Sequence, residues 1–284
     1  MTPLLSVRNL RVAFPTRSGL FEAVRGVSFE LGRERLGVVG ESGSGKTMTG
    51  RAILGLVRPP GRVDADRMAL GGESILNLPE RRMRRLRGAR ISMVMQDPKF
   101  SLNPVMTVGR QIVEGYRLHT GVSRAQARDK ALEMLAAVQI RDPERVFDAY
   151  PHEVSGGMGQ RIMIAMMLAP DPEILIADEP TSALDVSVRN EVLRILDRLV
   201  RTRGMGLIFI SHDLNLVAQF CDRVLIMYAG RVVEELPARD LHAARHPYTQ
   251  GLLNSLPRLD RPVERLAVLQ RQAGWRDAPP EGAA

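Results

Sequence analysis

Eight residues, Gly40-Glu41-Ser42-Gly43-Ser44-Gly45-Lys46-Thr47, follow the apolar run Leu36 to Val39 and precede an amphipathic run. A strand that empties into a glycine-rich loop and then a helix is the order a phosphate-binding loop requires, and few designs other than a strand-and-helix layer accommodate it. The glycines let the backbone turn its N–H groups inward around an anion. Lys46 brings a cation to the terminal phosphates, and the Thr47 hydroxyl is placed to ligate Mg²⁺. The spacing implies a nucleotide held by Gly40, Ser42, Gly43, Ser44, Gly45, Lys46 and Thr47. A glycine-rich turn with a purely structural role is the alternative reading of the same residues.

Composition narrows the classes. A chain of 284 residues can bury a sizeable core as one large domain or two modest ones. No window holds the roughly 18 consecutive apolar residues that span a bilayer, and the first thirty residues lack signal-peptide order, so a soluble, cytosolic protein is expected. The single cysteine, Cys221, excludes an internal disulfide and reads as a buried thiol. A net charge of +8 invites nucleic acid as a partner, but the arginines are dispersed and aromatics scarce, with no stacking platform. The densest basic cluster, Arg81, Arg82, Arg84, Arg85, Arg87 and Arg90, reads as a solvated helix face, with an acidic partner or lipid headgroups as the alternative.

Along the chain, Leu10, Val12 and Phe14, and later Val27, Phe29 and Leu31, alternate with polar residues, which predicts antiparallel strands at the N-terminus. Apolar runs at Leu36 to Val39, Ile91 to Met95, Ile174 to Ala177, Leu207 to Ile210 and Val224 to Met227 then alternate with helical patterns, predicting a mainly parallel sheet under helices. The strand signal lapses between Asp97 and Val154. There Ser123 and Gln126 form a capping box ahead of Ala127, Ala131, Leu132, Leu135 and Val138, so a helical insertion is expected at about 97–154. From Pro257 the periodicity weakens and a poorly ordered tail is expected over 257–284, after a domain covering 1–256.

A second cluster complements the loop. Ile174 to Ala177 ends in Asp178 and Glu179. Asp178 is positioned to hold the Mg²⁺ shell through water, and Glu179 to polarise the water that attacks a γ-phosphate. Two solvated turn carboxylates are the plainer reading. Between the two motifs lies Val154-Ser155-Gly156-Gly157-Met158-Gly159-Gln160-Arg161, leading into an apolar helix. A hydroxyl and bare N–H groups at a helix N-terminus make an anion site. One nucleotide does not need two cradles in one monomer, so the second makes sense if it closes on a nucleotide held by another subunit. A helix cap without a ligand is the alternative.

With phosphate loop, Ser-Gly-Gly segment and Asp-Glu strand in this order and approximate spacing, the chain resembles the ATP-binding cassette (ABC) ATPases from Leu4 to about Leu256. The fold this implies is a P-loop NTPase with a mainly parallel sheet, an N-terminal antiparallel β subdomain and the helical insertion. The resemblance also gives roles to Gln96 as the glutamine that senses γ-phosphate or metal, and to Ser182-Ala183-Leu184-Asp185 as the D-loop. His212 matches the switch histidine and Phe14 the aromatic that stacks on adenine. Phe21 competes with Phe14, and core burial is the plain alternative for both. His212 ends a strand at the sheet edge where α/β proteins bind ligands, and a neutral ring can both accept and donate.

Within the family, the chain is most similar to ATP-binding subunits of bacterial peptide and nickel importers, through Gln96-Asp97-Pro98, Ser101-Leu102-Asn103-Pro104, Thr181 to Val186 and His246-Pro247-Tyr248-Thr249. The last segment has no evident catalytic use and reads as a helix entry that packs the C-terminus. Two departures stand out: Gly159 replaces the subgroup's usual arginine, and residues 257 to 284 lack the cysteines that bind an iron–sulfur cluster in many members, so no such cluster is expected. The resemblance implies ATP and Mg²⁺ as ligands and a second ATPase subunit, of different sequence, forming a heteromeric pair. It also implies two transmembrane permease subunits and an extracytoplasmic solute-binding protein as partners, no nucleic acid, and a peripheral place for this chain at the cytoplasmic face of the inner membrane. The alternative is a soluble cassette acting on nucleic acid or ribosomes.

Overall fold

The computed structural model describes residues 2–96, 101–182, 184–255 and 273–276, which divide into two compact units, 1–77 with 209–284 and 78–208. The first unit opens with β1 (Leu5–Thr16) and β2 (Gly19–Leu31), paired antiparallel with Leu10 opposite Val27 and Phe14 opposite Phe21. The alternation read from sequence is what pairs them: Leu10, Val12 and Val27 are buried while Arg11 faces out. The buried strand β3 (Arg35–Val39) runs into the loop and then α1 (Lys46–Ile53). Three short strands follow, β4 (Arg62–Asp64), β5 (Arg67–Leu70) and β6 (Glu73–Ser74); β4 and β5 both pair with β1. The sequence reading missed all three, because runs this short carry little periodicity.

The second unit begins with α2 (Glu80–Leu86) and β7 (Ile91–Val94). Arg81, Arg82, Arg84 and Arg85 are exposed on α2, as a solvated face predicts, whereas Arg87 and Arg90 are half-buried and firmly paired. Arg87 grips the Glu80 carboxylate with both terminal nitrogens, at 2.7 and 3.0 Å, and Arg90 bonds Glu173. Met95 lies past the end of β7 and is exposed, so that strand is shorter than expected. The region without strand signal forms α3 (Val108–Thr120), α4 (Arg124–Ala137) and α5 (Pro143–Asp148). The expected capping box is present: Ser123 Oγ accepts from Gln126 N, and Gln126 Oε1 accepts from Ser123 N. Ala127, Ala131 and Leu135 turn into the core, as does Met134, whereas Leu132 is only half-buried.

The helix α6 (Gly156–Leu168) leads to β8 (Ile174–Asp178), which is parallel to β7 with Val94 opposite Ala177. Next come α7 (Val186–Arg203) and β9 (Gly206–Ser211). Every residue of β7, β8 and β9 is buried, the signature of strands covered on both faces.

The chain re-enters the first unit within β9, at Phe209, and continues there with α8 (Leu214–Phe220), β10 (Arg223–Tyr228), β11 (Arg231–Pro237) and α9 (Pro247–Asn254). β10 lies parallel to β3, with Ile226 opposite Val39, and turns into antiparallel β11 through Ala229 and Gly230, both at positive φ. Such a two-residue turn matches the twist of the strands it joins. Cys221 closes α8 and is buried, and that burial pushes its thiol up to about 12. Most of the tail for which weak order was expected lies outside the described residues. Ala273–Arg276 form a 3-10 turn that sets Trp275 edge-on to Tyr228, His246 and Tyr248, with ring centroids 6.2 to 6.3 Å apart. Among the described residues no helix is long and apolar enough to cross a membrane.

Candidate functional site

The loop in the first unit is built by the end of β3. Val39, buried and opposite Ile226 of the neighbouring strand, ends β3, and the chain then turns through Gly43 (φ 80°) and Gly45 (φ 100°) into α1. Gly45 sits at the cap of α1 and offers no side chain, so the first N–H groups of the helix are not capped by one. That is the arrangement an anion uses at a helix N-terminus. The Lys46 side chain is buried and bends back over the loop, where its ammonium donates to Gly40 O at 2.7 Å and Glu41 O at 2.9 Å. Thr47, half-buried, is the second residue of the helix.

Beside the loop is a cavity of about 300 Å³ bounded by Phe21, Ser42 to Ser44 and the turn at Tyr228 to Gly230. Gly230 N donates to Ser44 O at 3.0 Å and Gly230 O accepts from Arg25 N at 2.7 Å, which ties loop, turn and β2 together. Phe21, more than half exposed, lines this cavity; Phe14 does not, and packs instead near Gly61. His212 follows β9 and is exposed, one residue ahead of Asp213, which caps α8 by accepting from Leu216 N.

In the second unit the register of β7 on β8 brings the ends of the two strands together, so that Gln96 and Glu179 meet. Gln96 Nε2 donates to Glu179 Oε2 at 3.2 Å. Asp178 is buried at the end of β8. Glu179 is half-buried with φ at 46°, the left-handed region that a glutamate rarely adopts. Ser182 holds that turn: its N–H and its hydroxyl both donate to Glu179 O. Backbone strain kept in place by neighbouring bonds is a recurrent mark of functional positions.

The Ser155-Gly156-Gly157 segment is the exposed start of α6, in the same unit. Ser155 Oγ accepts from Met158 N at 3.4 Å, which leaves the hydroxyl hydrogen to donate elsewhere. A Cβ on Gly157 would sit 2.7 Å from Val188 of α7, whereas one on Gly156 would meet open space. Gly157 is therefore required by packing, and Gly156 is not. Asp185 caps α7 by accepting from Val188 N at 3.0 Å. That bond, with the Ser187 hydroxyl, holds its carboxyl below the usual aspartate range. Gly159 is buried within α6 and Arg161 pairs with Glu191.

Each unit thus carries a share of the residues singled out by sequence: the loop, Phe14 and His212 in the first, Gln96, Asp178, Glu179, Ser155 to Gly157 and Asp185 in the second. The sequence reading missed the turn at Tyr228 to Gly230 and gave Tyr248 no role; the adjacent pair Ala229-Gly230 was the available signal. Among the described residues no three His, Cys, Asp or Glu side chains group to hold a metal.

Comparison with known proteins follows the same lines. A family model described as ABC transporter matches residues 24–182, and one described as the C-terminal region of oligopeptide/dipeptide transporters matches residues 233–283. The chain is 49% identical to the oligopeptide transport ATP-binding protein OppD of Salmonella typhimurium, over 90% of this chain and 77% of that protein. To the dipeptide transport ATP-binding protein DppD of Escherichia coli it is 46% identical, over 94% and 82%. A dimeric bacterial ABC transporter cassette superposes with a TM-score of 0.73 at 26% identity, over 83% of this chain and 99% of that one. A post-hydrolysis state of an ATP-binding cassette with ADP and Pi superposes with a TM-score of 0.72 at 27% identity, with the same coverage.

Proposed function

This chain belongs to the ABC transporter family, and from that membership we propose that it is the ATP-binding and ATP-hydrolysing subunit of a bacterial importer of peptides or related small solutes. The observation that carries the reading is the loop Gly40 to Thr47, emerging from a buried strand onto a helix start with no side-chain cap. The choice of solute class is supported by relatives named for oligopeptide and dipeptide transport and by the C-terminal match over 233–283.

In this reading the loop N–H groups take the phosphates. Lys46 exchanges the carbonyls of Gly40 and Glu41 for phosphate oxygens, and an aromatic ring, Phe21 lining the cavity or Phe14, supports the base. The Thr47 hydroxyl, the Asp178 carboxylate and the Gln96 amide oxygen are hard oxygen donors, the kind Mg²⁺ takes, and the ion's chemistry would be to neutralise charge developing on the phosphates. Gln96 gives its amide nitrogen to Glu179, which fixes the direction of that carboxylate. Glu179 then acts as the base that orients the attacking water, and His212 contacts the γ-phosphate.

Ser155, Gly156, Gly157 and Asp185 serve a nucleotide held by a second ATPase subunit, so that two subunits join head to tail to complete each site. Gly159, where the subgroup has arginine, favours a heteromeric pair with unequal sites. Residues from Gln96 to Asn103 pass the closure to two permease subunits, and an extracytoplasmic binding protein selects the solute, with this subunit peripheral on the cytoplasmic face. Replacement of Glu179 by Gln tests the chemistry. ATP binding and the closed pair should persist while hydrolysis in the assembled complex falls about 10²- to 10⁴-fold. An unchanged rate would remove Glu179 from its assigned role.

A further inference from the structure

The Tyr248 ring is completely buried, and its hydroxyl reaches 207 residues back along the chain to accept the Glu41 backbone N–H at 3.1 Å. Glu41 is the second residue of the phosphate loop. Its N–H points at a tyrosine, so this group anchors the loop and is not turned toward an anion. The donor side of this bond is fixed by β3, which holds the residues just before the loop.

The acceptor side is held as firmly. His246 caps α9, its Nδ1 accepting from Tyr248 N at 3.1 Å, and Pro247 begins the helix with a preset φ. Upstream, Glu234 Oε1 on β11 accepts from Arg245 N at 2.6 Å and His246 N at 3.3 Å. The Tyr248 ring packs on Tyr228 with centroids 4.5 Å apart, and Tyr228 opens the turn whose Gly230 N–H donates to Ser44 O. Two loop residues, Glu41 and Ser44, are therefore held through one tyrosine pair. The 3-10 turn of the C-terminal region sets Trp275 edge-on to both rings.

We propose that Tyr248 is a positioning residue for nucleotide binding: its hydroxyl holds Glu41 so that the loop is set for phosphate before ATP arrives. The proposal rests on the reading that Gly40 to Thr47 takes the nucleotide. It gives the His246-Pro247-Tyr248-Thr249 segment a task that its distance from the motifs hides. An ordered loop binds more tightly because less freedom is lost on binding.

The test is ATP affinity of the full-length chain by titration calorimetry for the wild type, Tyr248→Phe and Lys46→Ala, with thermal unfolding of each without nucleotide. Phenylalanine keeps the ring and removes only the hydroxyl. The expected result is a rise in Kd of about 3- to 10-fold for Tyr248→Phe, the worth of one neutral hydrogen bond, and loss of measurable binding for Lys46→Ala. If Lys46→Ala loses binding while Tyr248→Phe keeps the wild-type Kd, the positioning role is overturned, whatever happens to the melting temperature. If neither variant changes Kd, the reading of the loop fails and the role of Tyr248 falls with it.

Discussion

Gly45 and Gly156 look alike in sequence, each within a glycine-rich stretch, yet they are glycine for different reasons. At Gly45 the backbone is left-handed, and a Cβ would stand 2.6 Å from the Ala23 carbonyl oxygen. Gly45→Ala should lower stability by about 1–3 kcal/mol and abolish ATP binding, as a melting curve and a nucleotide titration will measure. Gly156 has open space around its missing side chain, so Gly156→Ala should leave the unfolding free energy within about 0.5 kcal/mol of wild type. A large stability loss at Gly156 would contradict the geometry. Glu179 carries the opposite tension: a left-handed backbone under a residue that has a side chain, tolerated because Ser182 and Gln96 hold both ends of it.

Among the described residues, six helices begin on side chains that accept from their own first turn, Ser123 for α4, Asp142 for α5, Ser155 for α6, Asp185 for α7, Asp213 for α8 and His246 for α9, while α1, α2 and α3 begin without one. Asp185 makes a test by pH. Its carboxyl titrates below the unfolded value of 3.8, so its contribution is fully present above that value and disappears as pH falls through the lower folded one. Asp185→Asn keeps an acceptor that does not titrate, and its melting temperature should fall less than that of wild type between pH 5 and the acid limit. Equal acid sensitivity of the two proteins would count against this role. Elements were legible in sequence to the extent that they carried a local signal. The buried strands β3, β7, β8, β9 and β10 read as apolar runs, and the Ser123 box was written in two residues. β11 escaped because only Val233 is buried along an edge strand rich in charge, and β4 because it spans three residues. Contiguous motifs of the site were visible for the same reason. The bond of Tyr248 to Glu41 was not, since nothing within either segment refers to the other.

At the scale of the molecule, the order of the motifs carried the family before any coordinate did, because that order is a property of the chain. Which unit holds each motif is a property of the fold, and it divides the chemistry. The unit with the phosphate loop has the cation and the exposed histidine; the unit with the carboxylates has the strained glutamate and the serine that opens α6. The C-terminal region joins the first of these through its aromatic side chains. Trp275 is the sole tryptophan of the 284 residues, and it lies within 6.3 Å of two tyrosine rings. Light absorbed by those tyrosines will be passed to it by resonance transfer. Titrating denaturant should extinguish this sensitised emission as soon as the last turn detaches, ahead of the far-ultraviolet dichroism, if the tail leaves first. Coincident loss of the two signals would mean that the turn at Ala273–Arg276 and the elements carrying Tyr228 and Tyr248 melt as a single cooperative body. The protein carries its own optical gauge of how firmly the turn at Ala273–Arg276 is fastened.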